Sequence, residues 1–281
     1  MPVSRLLPDA GQFLARLALQ PAVLVRIAAT QGSAPREAGA WMAVFADAVV
    51  GTVGGGQLEY RAIAQARAGL AELARSGRPG AAPVRARFAL GPSLGQCCGG
   101  VVQLDFEPVS ASDAPDLGPT LHARLTPLAL FGAGHVGQAL VQALAPLPFA
   151  LTWIDSRDGI FPHPGPAQVA CEQSAPLQSA VPGLAPGSRV LIMSFSHAED
   201  FDVVAGCLAR QRERADLPYI GLIGSRTKWA AFGRRLQARG FTPAELSQVT
   251  CPIGIAGIAG KQPAVIAAAV AAQLLQTLER P

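Results

Sequence analysis

The stretch LGQCCGG at residues 94–100 sets Cys97 and Cys98 side by side in a frame of glycines. A thiolate is a soft nucleophile and a soft ligand, so the pair suits a metal centre or a transferable sulfur atom. Neighbouring side chains on a regular strand point to opposite faces, whereas a glycine-rich loop can present both thiols together. Spacing alone fits equally well with one cysteine packed inward and the other incidental.

A second group of residues is suited to anions. GAGHVG at 132–137 is a G-x-G-x-x-G, and an acid, Asp155, ends the next apolar stretch, ALTWID. In a dinucleotide-binding turn Gly132 makes the tight bend and Gly134 lets the backbone approach a pyrophosphate. Gly137 lets the helix pack on the strand, and Asp155 stands at the end of the next strand. GGGQLE at 54–59 is another glycine-rich entry to a helix. It reads either as an anion pocket of backbone N–H groups or as a tight connection with Glu59 serving the first turn. SFSHAEDFD at 194–202 gathers His197, Glu199, Asp200 and Asp202, with helix capping by Ser196 as the plainer explanation. GSRTK at 224–228 offers Ser225 and Arg226 at a helix start, and CPIGIAGIAGK at 251–261 is a glycine-rich loop of low polarity.

The elements that must position these residues follow from pattern. Helices are expected at 9–20 and 57–77, with strands at 22–29, 41–45, 49–53, 84–90 and 101–109. Residues 110–120, SASDAPDLGPT, are polar and rich in Pro and Ser, and read as a linker. Beyond them strands at 128–131, 150–155, 189–194 and 219–223 alternate with helices at 135–144, 199–211, 226–239 and 263–278. Alternation of this kind calls for a parallel sheet with helices on both faces. The expected fold is α/β: a smaller N-terminal α+β domain (1–109), a linker (110–126) and a C-terminal Rossmann-like parallel-sheet domain (127–281).

The totals narrow the function classes. The chain has 281 residues, half of them hydrophobic and 15% charged, below the average near ~25% and consistent with two packed cores. Its 23 cationic and 19 anionic side chains leave a net charge of +4 with no run of basic residues, which argues against a nucleic-acid groove. The uncharged stretch 125–154 is long enough to span a membrane but is broken by Pro127, Pro146, Pro148 and the glycine turn, so a buried strand–turn–helix is expected instead. Five cysteines and no apolar leader in MPVSRLLPDAG point to the cytoplasm and reduced thiols.

Taken in order, SAPRE (33–37), GGGQLE, LGQCCGG, GAGHVG, SFSHAEDFD, LIGSRTK and CPIGIAGIAGKQP resemble the XdhC/CoxI family, from about residue 20 to the last helix. The resemblance implies a cofactor maturation factor rather than a conventional enzyme. Such a factor binds molybdenum cofactor (molybdopterin), protects it, supports its sulfuration with a cysteine desulfurase and inserts it into the apoprotein of xanthine dehydrogenase. It also implies a homo-oligomer, a dimer. Cys97 and Cys98 would then face molybdenum or its incoming sulfur. Gly54, Gly55, Gly56, Gln57, Gln96, Gly132, Gly134, Gly137, Asp155, Ser225 and Arg226 become the cofactor-binding candidates. The competing reading is an NAD(P)-dependent oxidoreductase, resting on GAGHVG and Asp155 with His197 as an acid. A third is an adaptor that only docks desulfurase and dehydrogenase.

Overall fold

The computed structural model describes residues 4–6, 8–76, 83–91, 99–166 and 168–278. The chain divides into two compact units, Leu6–Ala123 and Arg124–Pro281, the latter grouped with Met1–Arg5. Short strands β1 (Ser4–Leu6) and β7 (His122–Arg124) form a two-stranded sheet.

The N-terminal unit is built on an antiparallel sheet of order β4-β3-β2-β6-β5. Its strands are β2 (Ala22–Gln31), β3 (Trp41–Val44), β4 (Val49–Gly51), β5 (Val84–Ala89) and β6 (Val101–Val109). The two-residue period of β2 places Val23, Val25 and Ile27 on one face with Met42, Val44, Leu58, Ala62 and Ala66. Helix α2 (Gly56–Ser76) supplies the last three. Ala22 and Leu24 face the other way, against Phe13 and Leu17 of helix α1 (Pro8–Leu17). Both faces are covered, which is why 22–27 is a nearly continuous apolar run.

The polar stretch expected to be a bare linker folds. Ala111–Asp113 form a 3-10 turn capped by the Asp113 carboxylate on the Ser110 amide at 2.7 Å. Ala114–Leu121 form helix α3, whose Leu117 and Leu121 are buried in the cluster around Phe13 and Leu17. The two leucines, four residues apart, give this helix an apolar edge that the Pro, Ser and Asp content obscures.

The C-terminal unit carries a parallel sheet of order β10-β9-β8-β11-β12-β13. Its strands are β8 (Thr126–Phe131), β9 (Phe149–Asp155), β10 (Ala170–Gln173), β11 (Arg189–Ile192), β12 (Tyr219–Leu222) and β13 (Val249–Thr250). Counted from β8 this is the order 3-2-1-4-5-6 of dinucleotide-binding folds, and the order reverses between β8 and β11. Helices α4 (His135–Leu144) and α8 (Pro263–Gln276) cover one face, meeting Leu128, Leu130, Trp153 and Leu191. Helices α5 (His197–Arg214) and α6 (Arg226–Ala238) cover the other, meeting Ala129, Phe131, Val190 and Ile192. The short helix α7 (Pro243–Leu246) precedes β13. The connection between β10 and β11 is a 3-10 segment, Leu177–Gly183, in place of an α-helix.

Candidate functional site

In an open parallel sheet a ligand is received at the carboxyl ends of the strands where the order reverses. That point lies at the loops after β8 and β11. Gly132 has φ +116°, a region closed to most L residues, and a β-carbon there would stand 2.2 Å from the Met193 carbonyl oxygen. Gly137 is equally confined, with a β-carbon 2.2 Å from the Gly132 oxygen. Trp153 fixes that same oxygen by donating its indole N–H at 3.0 Å. Gly134, at the N-terminus of α4, differs: its φ is −76° and an added β-carbon meets nothing within 4 Å. The first and third glycines hold the turn, and the second leaves open space beside free helix N–H groups.

Asp155 sits at the end of β9, 1% exposed, with its carboxylate fully engaged. One oxygen accepts from the Arg157 amide at 3.0 Å and the Arg157 Nε at 2.9 Å; the other accepts from the Ala133 amide at 2.7 Å and from Arg157 Nη2 at 2.9 Å. Burial pushes this carboxyl up, but the Arg157 guanidinium and the two amides together hold it below the usual range. A carboxylate with four donors has no lone pair left for a ribose diol. Here Asp155 braces the glycine turn. An arginine two residues beyond the strand-end acid is the sequence signal that foretells this.

Two contacts reach from the loop after β9 to the loop after β11 and the first turn of α5, and so cross the end of β8. Ser156 donates its hydroxyl to Glu199 Oε1 at 2.5 Å. The Arg157 guanidinium stands 4.9 Å from the centre of the Phe195 ring. Phe195 is 62% exposed, unusual for a phenylalanine at the mouth of a crevice. The second carboxylate oxygen of Glu199, Oε2, is buried and receives no hydrogen bond. An unmet buried acceptor costs roughly 1–3 kcal/mol. Phe195 was passed over in the sequence because it lies inside a cluster read for its polar residues.

The remaining acids of that cluster are structural. Asp200 is buried, accepts from the Ser194 amide at 2.8 Å and pairs with Lys228 Nζ at 2.6 Å. Lys228 also donates to the Ile223 carbonyl at 2.9 Å. Asp202 pairs with Arg239 on the surface. Ser196 caps α5 and Ser225 caps α6, accepting from the Ala198 and Lys228 amides. Arg226 opens α6 and His197 opens α5, both exposed.

In the N-terminal unit the three glycines of GGGQLE all take positive φ: +121° at Gly54, +75° at Gly55 and +62° at Gly56. Glu59 folds back to accept from the Thr52 hydroxyl and from the Val53 and Gly55 amides, the latter two at 3.1 Å. Gln57 is exposed at the start of α2. A β-carbon on Gly54 would stand 2.5 Å from the Pro35 ring, and one on Gly100 would stand 2.2 Å from the Ser33 carbonyl oxygen. SAPRE, GGGQLE and the Gly99–Gly100 end of the cysteine stretch therefore meet. Gln96, Cys97 and Cys98 lie outside the described residues.

The other cysteines are poor thiolate donors. Cys207 is buried and pushed up to about 12 by that burial. Burial also raises Cys251, against the lowering influence of Lys228, and raises the exposed Cys171. Among the described residues no group of three or more His, Cys, Asp or Glu is arranged to hold a metal ion, and no helix is long and apolar enough to cross a membrane.

Known proteins resemble the chain along most of its length. A family model described as the XdhC Rossmann domain matches residues 128–274, and one described as the XdhC and CoxI family matches residues 15–80. The uncharacterized protein YqeB of Escherichia coli (strain K12) is 28% identical over 266 residues, which are 91% of this chain and 43% of that protein. The chain thus spans less than half the length of this curated relative. A crystal structure described as a xanthine dehydrogenase from Bacillus halodurans superposes with a TM-score of 0.74 at 21% identity, covering 95% of this chain and 94% of that one. At that identity the likeness establishes a shared fold.

Proposed function

The chain belongs to the XdhC and CoxI family, and from that premise we propose that it is a maturation factor for xanthine dehydrogenase that carries molybdenum cofactor as cargo. In this reading it shelters the cofactor, supports exchange of an oxo ligand for sulfide with a cysteine desulfurase, and passes the product to the dehydrogenase apoprotein. The observation that carries it is the meeting of SAPRE, GGGQLE and the base of the cysteine stretch at Pro35, Gly54, Ser33 and Gly100. These contacts gather SAPRE, GGGQLE and Gly100, the described end of the stretch whose sequence holds Cys97 and Cys98. Tight backbone packing at Gly100 anchors one end of the segment that bears the thiols.

The cargo supplies a soft, sulfur-bearing metal centre and a phosphate. Adjacent thiolates suit the first. For the second, the N-termini of α2 and α4 offer N–H groups, and Gly134 leaves space for close approach. The competing reading as an NAD(P)-dependent oxidoreductase is disfavoured by Asp155, whose carboxylate is spent on Ala133 and Arg157. His197 also has no neighbouring carboxylate or hydroxyl bonded to it among the described residues.

The test is transfer. Wild type and the double variant Cys97→Ser, Cys98→Ser are loaded with molybdenum cofactor and mixed with xanthine dehydrogenase apoprotein. The wild type is expected to yield active, sulfurated dehydrogenase, and the double variant to lose at least tenfold. Equal yields from both would remove the thiols from the reaction.

A further inference from the structure

The crevice after β8 and β11 holds two features that the turn itself does not require: an exposed aromatic ring and a carboxylate oxygen with no donor. Phe195 presents one face to the Arg157 guanidinium at 4.9 Å, while the residue as a whole is 62% exposed. A ring held by a cation on one side and open on the other is a platform for a flat, polarisable partner. Glu199 has one oxygen fastened by Ser156 and a second, buried, that nothing donates to. The unmet oxygen leaves this pose of Glu199 incompletely satisfied, and a carboxylate turned outward from it matches two parallel N–H donors.

We propose that Phe195 and Glu199 form a subsite for a planar heterocycle bearing a 2-amino-4-oxo edge, the edge shared by pterins and guanine. This deepens the proposed function and rests on it for the choice of pterin. Phe195 stacks on the ring. Glu199 turns outward from its buried pose, releasing the Ser156 hydroxyl, and its two oxygens accept from the amino group and the adjacent ring N–H. The alternative anchor in such folds, the acid at the end of the second strand, is Asp155, and it is already saturated by its own neighbours. Recognition therefore shifts from the β9 side of the crevice to the β11 side. The side of α4 at Gly134 remains open for a phosphate on the same ligand.

The experiment is a fluorescence titration of the full chain with three probes. Pterin carries the 2-amino-4-oxo edge; lumazine replaces the 2-amino group by oxygen; guanosine carries the same edge on a purine and, like pterin, has no phosphate. Wild type is expected to bind pterin at least tenfold more tightly than lumazine, and more tightly than guanosine. Glu199→Gln should abolish the preference over lumazine, and Phe195→Ala should weaken pterin and lumazine alike by about tenfold. Both side chains are at least partly exposed, and thermal melts and circular dichroism confirm that the variants are folded. Equal affinity of wild type for pterin and lumazine would overturn the proposal, as would an unchanged preference in Glu199→Gln. Tighter binding of guanosine would overturn the assignment to pterin. Molybdenum and pterin retained on the purified chain are measured separately. Retention in wild type together with indifferent Glu199→Gln and Phe195→Ala titrations would sink the subsite and leave the maturation role standing. Pterin selectivity without retained cofactor would do the reverse.

Discussion

The chain enters a helix twice through a glycine-rich turn, at GGGQLE in the N-terminal unit and at GAGHVG in the C-terminal one, and the two turns are held in opposite ways. At residues 54–59 three successive glycines adopt positive φ, and the stabilising carboxylate, Glu59, comes from the helix itself. At residues 132–137 only Gly132 takes positive φ, and the stabilising carboxylate, Asp155, comes from a neighbouring strand. In both turns the acid consumes amide donors that a phosphate would otherwise compete for. In both, one glycine is jammed and another is open: Gly54 against Pro35 with Gly55 free, Gly132 against Met193 with Gly134 free. A glycine signature therefore mixes positions that hold the backbone with positions that leave room, and only the structure separates them.

Alanine substitutions break this comparison in a definite order. Gly132→Ala combines a positive φ with a β-carbon 2.2 Å from a backbone oxygen that cannot retreat. Its expected cost is about 4 kcal/mol, read as a lost urea midpoint in the C-terminal unit. Gly54→Ala shares the positive φ but meets a proline ring in a turn that can shift, so about 3 kcal/mol is expected.

Asp155→Asn removes the charge that pairs with Arg157 and sets an amide NH2 against donors where one carboxylate oxygen accepted, at an expected cost of about 2 kcal/mol at pH 7. Its pH dependence has a definite sign. Asp155 lies below the ordinary carboxylate range when folded, so its stabilisation is complete above the unfolded value, about 4, and is lost as pH falls through the lower folded one. The gap between wild type and Asp155→Asn, measured by urea unfolding, should stay constant from pH 7 to pH 5 and close below pH 4.

Gly55→Ala has open space but φ +75°, so only the conformational cost of about 1 kcal/mol is expected. Gly134→Ala has neither obstacle and should change stability by less than about 0.5 kcal/mol. Gly134→Ala should nonetheless weaken phosphate-bearing ligands, because it fills the open side of α4. A stability loss at Gly134 equal to that at Gly132 would erase the distinction between the two kinds of glycine.

Much of the fold was legible because the chain alternates apolar strands with helices of regular period. Both predicted sheets formed, and ALTWID ended at Asp155 as read. The short edge strands β10 and β13 were missed: four exposed residues and a two-residue pair carry no periodic signal. The 110–120 stretch was misread because composition outweighed the spacing of Leu117 and Leu121. For the site, glycine positions were legible and partners were not. Nothing in the one-dimensional pattern of Asp155 reveals that Arg157 and Ala133 saturate it, and nothing in SFSHAEDFD marks Phe195 as the exposed member. Those facts arise from strand order, which brings the loops after β9 and β11 together across β8.

The proposed role requires that the chain hold molybdenum cofactor, whereas the oxidoreductase reading requires that it bind a dinucleotide. The most direct test is the molybdenum and pterin content of the chain purified from a cofactor-competent host, by metal analysis and by fluorescence of the oxidised pterin, alongside a titration with NADH. The expected result is molybdenum and pterin in equal amounts, approaching one of each per chain, with no saturable NADH binding. A chain that carries neither molybdenum nor pterin and binds NADH saturably would contradict the account.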